Sequence, residues 1–166
     1  MAEVATLVKP ELEAMKGVWT DHLVSYPIAA SDIRRWAIAV YWGRTPPRLF
    51  WDEEYARTTR WTGIVAPEDF NPFTWAIPDD SRGVEIMGAL PGRKVAQGDN
   101  ILNGGQADSF GVRMRPGDVI TSRTRLSHWE ERTGRHGLTL FTYTETQWTN
   151  QHDELVKTRV QTIIRY

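Results

Sequence analysis

Three long runs rich in β-branched and aromatic residues fill the last third of the chain and constrain its fold most. They span residues 117–131, 137–149 and 154–166, and the short segments RTGRHG and TNQHDE that separate them have the length of hairpin connections. We therefore predict three consecutive antiparallel strands, joined by an earlier strand near residues 106–114.

The last run alternates, which is typical of a strand with one solvent-exposed face. One face is predicted to pack on the core and the other to meet water. The core face would carry Val156, Thr158, Val160, Thr162 and Ile164, and the wet face Lys157, Arg159, Gln161 and Arg165.

The first half supplies helices. Ser31 is a good N-cap for the following segment IRRWAIAVYW, which the prolines of GRTPP must end. Apolar residues recur there at helical spacing, so one helix face is predicted to be buried. Its members are Ile33, Trp36, Ala37 and Val40. Shorter helices are predicted at 10–16 and 52–61, and a strand at 22–28. The fold class is therefore α+β.

Length and charge narrow the function. The 166 residues form one domain, with a helical extension at 1–18 and a long connection at 78–105. Lys and Arg total 20 against 21 Asp and Glu, so no basic surface for nucleic acid or for an anionic membrane is expected. There is no cysteine, no run of apolar residues long enough for a membrane span, and no secretory signal. We expect a cytoplasmic protein.

Common catalytic motifs are absent from the sequence. The four histidines lack metal-ligand spacing, and no P-loop, dinucleotide fingerprint or GxSxG elbow occurs. No metal is therefore predicted.

The order of several segments across residues 19–166 resembles the MaoC-like acyl dehydratases. The resemblance is closest to the group named for the dehydratase domain of fatty-acid synthase. Its segments are SDIRRWAIAV, GRTPPRLFWDEEYARTTRWTGIVAPEDF, ILNGGQADSFGVRMRPGDVITS and TNQHDELVKTRVQTIIR.

This resemblance implies a hot-dog fold, in which an antiparallel sheet wraps around a central helix, and a dimer or pseudo-dimer of such units. It also implies reversible hydration of a trans-2-enoyl thioester of coenzyme A or acyl carrier protein. No cofactor is implied, since the thioester is the substrate. Catalytic members carry a GDxNPxH-like motif whose Asp and His perform acid–base catalysis.

The chain departs from that motif. Gly43 and Pro46 match its Gly and Pro, but Arg44 falls near the Asp, and no Asp or His lies between Val40 and Trp51. An arginine cannot serve as a general base at ordinary pH. We therefore predict no catalytic residue here, with Asp52 as a weak candidate. The leading hypothesis is the non-catalytic, substrate-tunnel subunit of a heteromeric hydratase.

Aromatic and basic residues provide the candidate substrate site. Aromatic walls suit a wide, rigid acyl group, and arginines pair well with phosphates, although tryptophans can equally fill the space between helix and sheet. The candidate substrate-binding residues are Trp42, Arg44, Trp51, Trp75 and Asn103.

Two alternatives remain open at this point. The chain could be a self-sufficient homodimeric hydratase that uses Asp52 with a partner's histidine, or a related thioesterase, because fold does not fix function. It could also be a non-enzymatic domain that binds acyl thioesters.

Overall fold

The computed structural model describes residues 6–74, 100–135 and 137–166, with only the backbone of Asp21. Within these ranges, five strands form one antiparallel sheet in the order β1-β3-β4-β5-β2. The strands are β1 (Thr20–Val24), β2 (Ile101–Phe110), β3 (Thr121–Gly134), β4 (Gly137–Thr149) and β5 (Leu155–Arg165). The predicted α+β class and the predicted meander β3–β4–β5 are confirmed.

The strand boundaries differ from prediction where turns intervene. Strand β3 begins at Thr121 because residues 115–118 form a turn, in which the Asp118 carboxylate accepts from the Arg115 amide at 2.8 Å. Strand β2 begins at Ile101, so the long connection predicted up to residue 105 ends too late. The rest of that predicted connection, residues 78–99, lies outside the described residues.

The helices come from the first half, as predicted. They are α1 (Pro10–Met15), α2 (Ala30–Val40) and α3 (Glu53–Arg57), with a 3-10 turn at Arg48–Phe50 before α3. Helix α1 lies within the predicted N-terminal extension, and β1 begins two residues before the predicted strand and ends at Val24.

Helix α2 corrects two predictions. Ala29 occupies the N-cap, so Ser31 lies inside the first turn and does not cap the helix. Ile33 and Ala37 are fully buried, as the helical spacing predicts, but Val40 on the same stripe is 48% exposed.

The core lies between α2, the segment 64–70 and one end of the sheet. Phe70, Ile33, Ile120 and Val65 are its largest fully buried side chains. Burial of each such side chain stabilises the fold by roughly 1.5–3 kcal/mol. Partly buried residues packed around this core are Trp36, Tyr41, Leu49, Trp61, Phe73 and Trp148.

The predicted exposed face of β5 is wrong. Lys157 is only 3% exposed, and the register places it on the sheet face that also carries the buried residues Leu140 and Thr142. Val156 is buried as predicted. Val160, on the face opposite to Lys157, is only half-buried. Val and Thr favour strands on either face of a sheet, so their alternation does not identify the core side.

One carboxylate on β2 pairs with two cations on β5. Asp108 accepts from the Arg159 guanidinium at 2.7 and 2.8 Å, and the Lys157 ammonium lies 2.9 Å from the same carboxylate. The ammonium also lies 5.2 and 5.1 Å from the ring centroids of Phe110 and Trp148. The hydrogen bonds from Arg159, followed by the contact with Lys157, lower the pKa of Asp108 to about 2. A buried lysine is tolerated here because Asp108 compensates its charge.

We predict that Asp108 supports acid stability. Its pKa lies near 2 in the folded state and near 3.8 when unfolded, so its contribution is present above about pH 4 and is lost as the pH falls towards 2. That contribution is about 2 kcal/mol. Asp108→Asn should therefore reduce the loss of stability between pH 4 and 2.

The same variant should lower the free energy of unfolding at pH 7 by about 3 kcal/mol, because Lys157 stays buried without a compensating charge. Urea denaturation at several pH values measures both effects. Glu130→Gln, which breaks the exposed Glu130–Arg132 pair, is the matched control and should change stability by less than about 1 kcal/mol. Equal denaturation midpoints for Asp108→Asn and the wild type at pH 7 would contradict this role.

In the described part of the chain, none of the helices has the length and apolar character needed to cross a bilayer.

Candidate functional site

The turn after α2 presents two predicted site residues to solvent. Trp42 is 87% exposed and Arg44 is also exposed, with Gly43 between them at a φ of 73°. That left-handed conformation suits glycine, and nothing lies within 4 Å of where its Cβ would be. The Arg44 amide donates to the Tyr41 carbonyl at 2.7 Å, which fixes the turn to the helix end.

One contact closes the following segment, residues 46–51, and a second places it against this turn. The Trp51 indole N–H donates to the Pro46 carbonyl at 3.0 Å, closing the segment 46–51. Phe50 is buried, and its ring centroid lies 6.3 Å from that of Tyr41 in the turn. Trp42, Arg44 and Trp51 therefore belong to one anchored segment that follows α2.

Asp52 begins α3 as its N-cap. One carboxylate oxygen accepts from the Tyr55 amide at 3.0 Å, and the other accepts from the Arg48 guanidinium at 2.9 and 2.7 Å. The Tyr55 amide and then the Arg48 side chain lower the pKa of Asp52. A carboxylate held ionised by a helix start and an arginine is a poor proton donor, so the geometry gives Asp52 a structural role.

The two arginines of this segment differ in their contacts. Arg48 pairs with Asp52 and lies over the Tyr55 ring at 4.6 Å from the centroid. Arg44 makes no ion pair with any residue that the structure describes. With one carboxylate against two guanidinium groups, residues 41–52 carry a net charge of +1.

The remaining predicted site residues lie elsewhere. Asn103 is on β2, where its side-chain oxygen accepts from the Gly105 amide at 2.9 Å and supports a bulge between Asn103 and Gly105. This hydrogen bond lies within the bulge and does not connect Asn103 to the turn after α2. Trp75 lies outside the described residues.

Other tryptophans have a packing role. Trp36 packs edge-on against Phe70 at 5.6 Å between ring centroids, and Trp61 also packs against the core. These two side chains fill space between the helix and the sheet. The indole N–H of Trp36 is buried and finds no hydrogen-bond partner among the described residues.

The motifs that carry the family resemblance are explained by structure. The Gln151 side chain accepts from the Val119 amide at 3.0 Å and donates to Asp118 at 3.2 Å. This joins the RPGD turn to the TNQHDE turn. Asn150 accepts from two amides within its own turn. These hydrogen bonds stabilise the connections between strands, so the motif residues Gln151 and Asn150 have a structural role.

The buried ions of the sheet escaped the sequence analysis. Lys157 stands between valine and threonine in a run that otherwise reads as an ordinary half-exposed strand. Its partner Asp108 lies 49 positions earlier in a strand whose register no local pattern reveals. A lysine flanked by β-branched residues was the available signal.

Within residues 6–74, 100–135 and 137–166, no three acidic or histidine side chains come close enough to share a metal ion.

The chain is similar to proteins of one known family. The family model described as the FAS1-like dehydratase domain region matches residues 14–159. No protein of curated function matches the sequence significantly.

Solved structures share the fold. The ChsH1-ChsH2 complex from Mycobacterium tuberculosis aligns with a TM-score of 0.66 and 16% identity, covering 93% of each chain. The C-terminally truncated HadBC complex, a 3R-hydroxyacyl-ACP dehydratase from the same organism, has a TM-score of 0.57 and 20% identity, covering 90% of this chain and 96% of that one. The R-hydratase PhaJ1 from Pseudomonas aeruginosa has a TM-score of 0.57 and 19% identity, covering 89% and 79%. These TM-scores establish a shared hot-dog fold.

The geometry at Asp52 makes a direct prediction about stability. Asp52→Ala should lower the denaturation midpoint because it removes both the N-cap and the partner of Arg48. Asp52→Asn should lower it clearly less, since asparagine caps a helix about as well as aspartate and the exposed ion pair contributes little. Thermal denaturation of both variants measures the difference. Equal losses would show that the charge of Asp52, and not its cap, is what the fold uses.

Proposed function

Because the chain belongs to the FAS1-like dehydratase domain family, we propose that it is the non-catalytic subunit of a two-chain hydratase. This enzyme adds water reversibly to a trans-2-enoyl thioester. The partner subunit supplies the acid and base, and this chain supplies part of the surface that holds the acyl group.

The observation that carries the proposal is the composition of the segment after α2. Residues 41–50 contain no aspartate and no histidine. Arg44 keeps its proton at ordinary pH, and Asp52 is held ionised by Tyr55 and Arg48. The lowered pKa of Asp52 also makes this carboxylate a weak base, so neither Arg44 nor Asp52 is suited to move a proton to or from a substrate carbon.

The position of β2 at the edge of the sheet supports a partner subunit, since no strand among the described residues lies along its outer side. This ten-residue edge strand exposes Ile101, Leu102 and Phe110. Asp108 is its single charged residue, and its carboxylate is engaged by β5. Proteins usually protect such edges with lysine, proline or a covering segment, because the unpaired backbone groups can add another strand. The opposite edge, β1, has five residues, among them Asp21 and His22.

The end of α2 adds a second surface that the described residues leave exposed. Val40 continues the buried stripe of Ile33 and Ala37 but is half-exposed, and Ile38, which projects from the other side of the helix, is 54% exposed. A partner subunit that covers this end would complete the burial of the stripe. The ChsH1-ChsH2 and HadBC structures are complexes whose names give two chains each, and they share this fold.

The test is hydration of an enoyl-coenzyme A, followed by the loss of the conjugated-thioester absorbance. The purified chain is measured alone and together with a hot-dog chain that carries the Asp and His of the family motif. The proposal requires no turnover by this chain alone and turnover by the pair above that of the partner alone. Turnover by this chain alone would support the self-sufficient homodimer. Ligand binding without turnover in any pairing would favour an acyl-thioester binding domain.

A charged residue on the β2 edge should prevent association with the partner. We predict that Leu102→Lys weakens partner binding at least about tenfold, because a lysine on an edge strand opposes strand addition. Val24→Lys, at a 66% exposed position on the other edge strand, is the matched control and should leave binding unchanged. Light scattering of each variant mixed with the partner measures complex formation. If Val24→Lys weakens the complex and Leu102→Lys does not, then β1 is the interface.

A further inference from the structure

The turn after α2 combines three features that suit a ligand with a flat ring and a phosphate. Trp42 presents an aromatic surface to solvent, Gly43 leaves the backbone open, and Arg44 presents a guanidinium without an ion-pair partner among the described residues. An exposed aromatic side chain can stack on a purine, and an arginine can bind a phosphate with two parallel hydrogen bonds.

The turn is held in one conformation before any ligand arrives. The hydrogen bond from Arg44 to Tyr41 fixes its start, and the bond from Trp51 to the Pro46 carbonyl closes the segment that follows. Pro46 and Pro47 restrict the backbone between them. A preformed turn loses less conformational entropy on binding than a flexible one.

The local charge also favours an anion. The nearest carboxylate in sequence, Asp52, is engaged by Arg48 and the Tyr55 amide, so it does not compensate Arg44. Arg44 lies four residues beyond the end of α2, and the effect of the helix dipole falls off within the last turn, so the dipole does not account for an arginine at this position. It also gives no reason for a tryptophan that is almost fully exposed.

We propose that Trp42 and Arg44 bind the adenosine 3′-phosphate end of a coenzyme A thioester, with the adenine on Trp42 and the 3′-phosphate on Arg44. This inference rests on the proposed function, because it takes an acyl thioester as the substrate. It names coenzyme A as the carrier, since a phosphopantetheine arm on a carrier protein offers no adenine to Trp42. It also removes Trp42 from the wall of an acyl tunnel.

The experiment is calorimetric titration of the whole chain with coenzyme A and with 3′-dephospho-coenzyme A. The wild type should bind coenzyme A about tenfold more tightly than the dephospho form. Arg44→Ala should remove this difference by weakening coenzyme A alone. Arg34→Ala is the matched control: it removes an exposed arginine from α2 without touching the turn, and it should keep the wild-type affinity.

The stacking is tested by a second pair of variants. Trp42→Ala should weaken both ligands about tenfold, whereas Trp42→Phe should keep most of the affinity because the flat ring remains. Far-ultraviolet circular dichroism of each variant shows whether it is folded. Since Trp42 is exposed, both substitutions should leave the fold intact.

Several results would overturn the inference. They are no binding of coenzyme A at millimolar concentration, equal effects of Arg44→Ala and Arg34→Ala, and a phosphate preference that survives Arg44→Ala. Loss of coenzyme A binding when the catalytic partner is added would also overturn it, because the partner would then cover Trp42. Hydration by the pair, unaffected by Arg44→Ala, would leave the proposed function standing and remove only this inference. A confirmed phosphate preference without hydration in any pairing would leave the coenzyme A site standing and remove the proposed hydratase function.

Discussion

The ion cluster of Asp108, Lys157 and Arg159 allows the sheet to hold a buried lysine. It joins the edge strand β2 to β5 through side chains, in addition to the backbone ladder between them. Lys157 is the buried member and depends on Asp108, because removing that carboxylate leaves the ammonium without a compensating charge. Phe110 and Trp148 enclose the ammonium, so the end of β2 is held by charge and by aromatic contact together.

Holding β2 in this way has a consequence for assembly. The cluster turns the one charge of the strand inwards, towards β5, and leaves its outer edge without the charges that usually prevent strand addition. The same chain lacks an acid–base pair after α2 and leaves the end of that helix uncovered. The proposed second chain would supply the missing acid–base pair and cover an edge strand that no described residue protects.

Sequence patterns predicted the parts of this fold that local interactions decide. The extent of β4 followed from its β-branched run between hairpin turns, and the end of α2 followed from the prolines after it. The sequence did not predict which face of β5 is buried, because Val and Thr are equally common on a half-exposed face. In addition, Asp108, the partner of the buried Lys157, lies on a strand distant in sequence. Likewise, the exposure of Trp42 depends on how far α2 extends beyond the core, which the helical spacing of Ile33, Ala37 and Val40 does not reveal.

Hydrogen–deuterium exchange of the β2 amides distinguishes an open edge strand from one that a partner covers. In the free chain, the amides on the outer edge of Ile101–Phe110 should exchange quickly, because no strand of the described residues lies beside them. In the complex with a catalytic hot-dog subunit they should become protected, while the amides of Thr20–Val24 on β1 should exchange as before. An active complex in which β2 exchanges as fast as in the free chain would contradict the account.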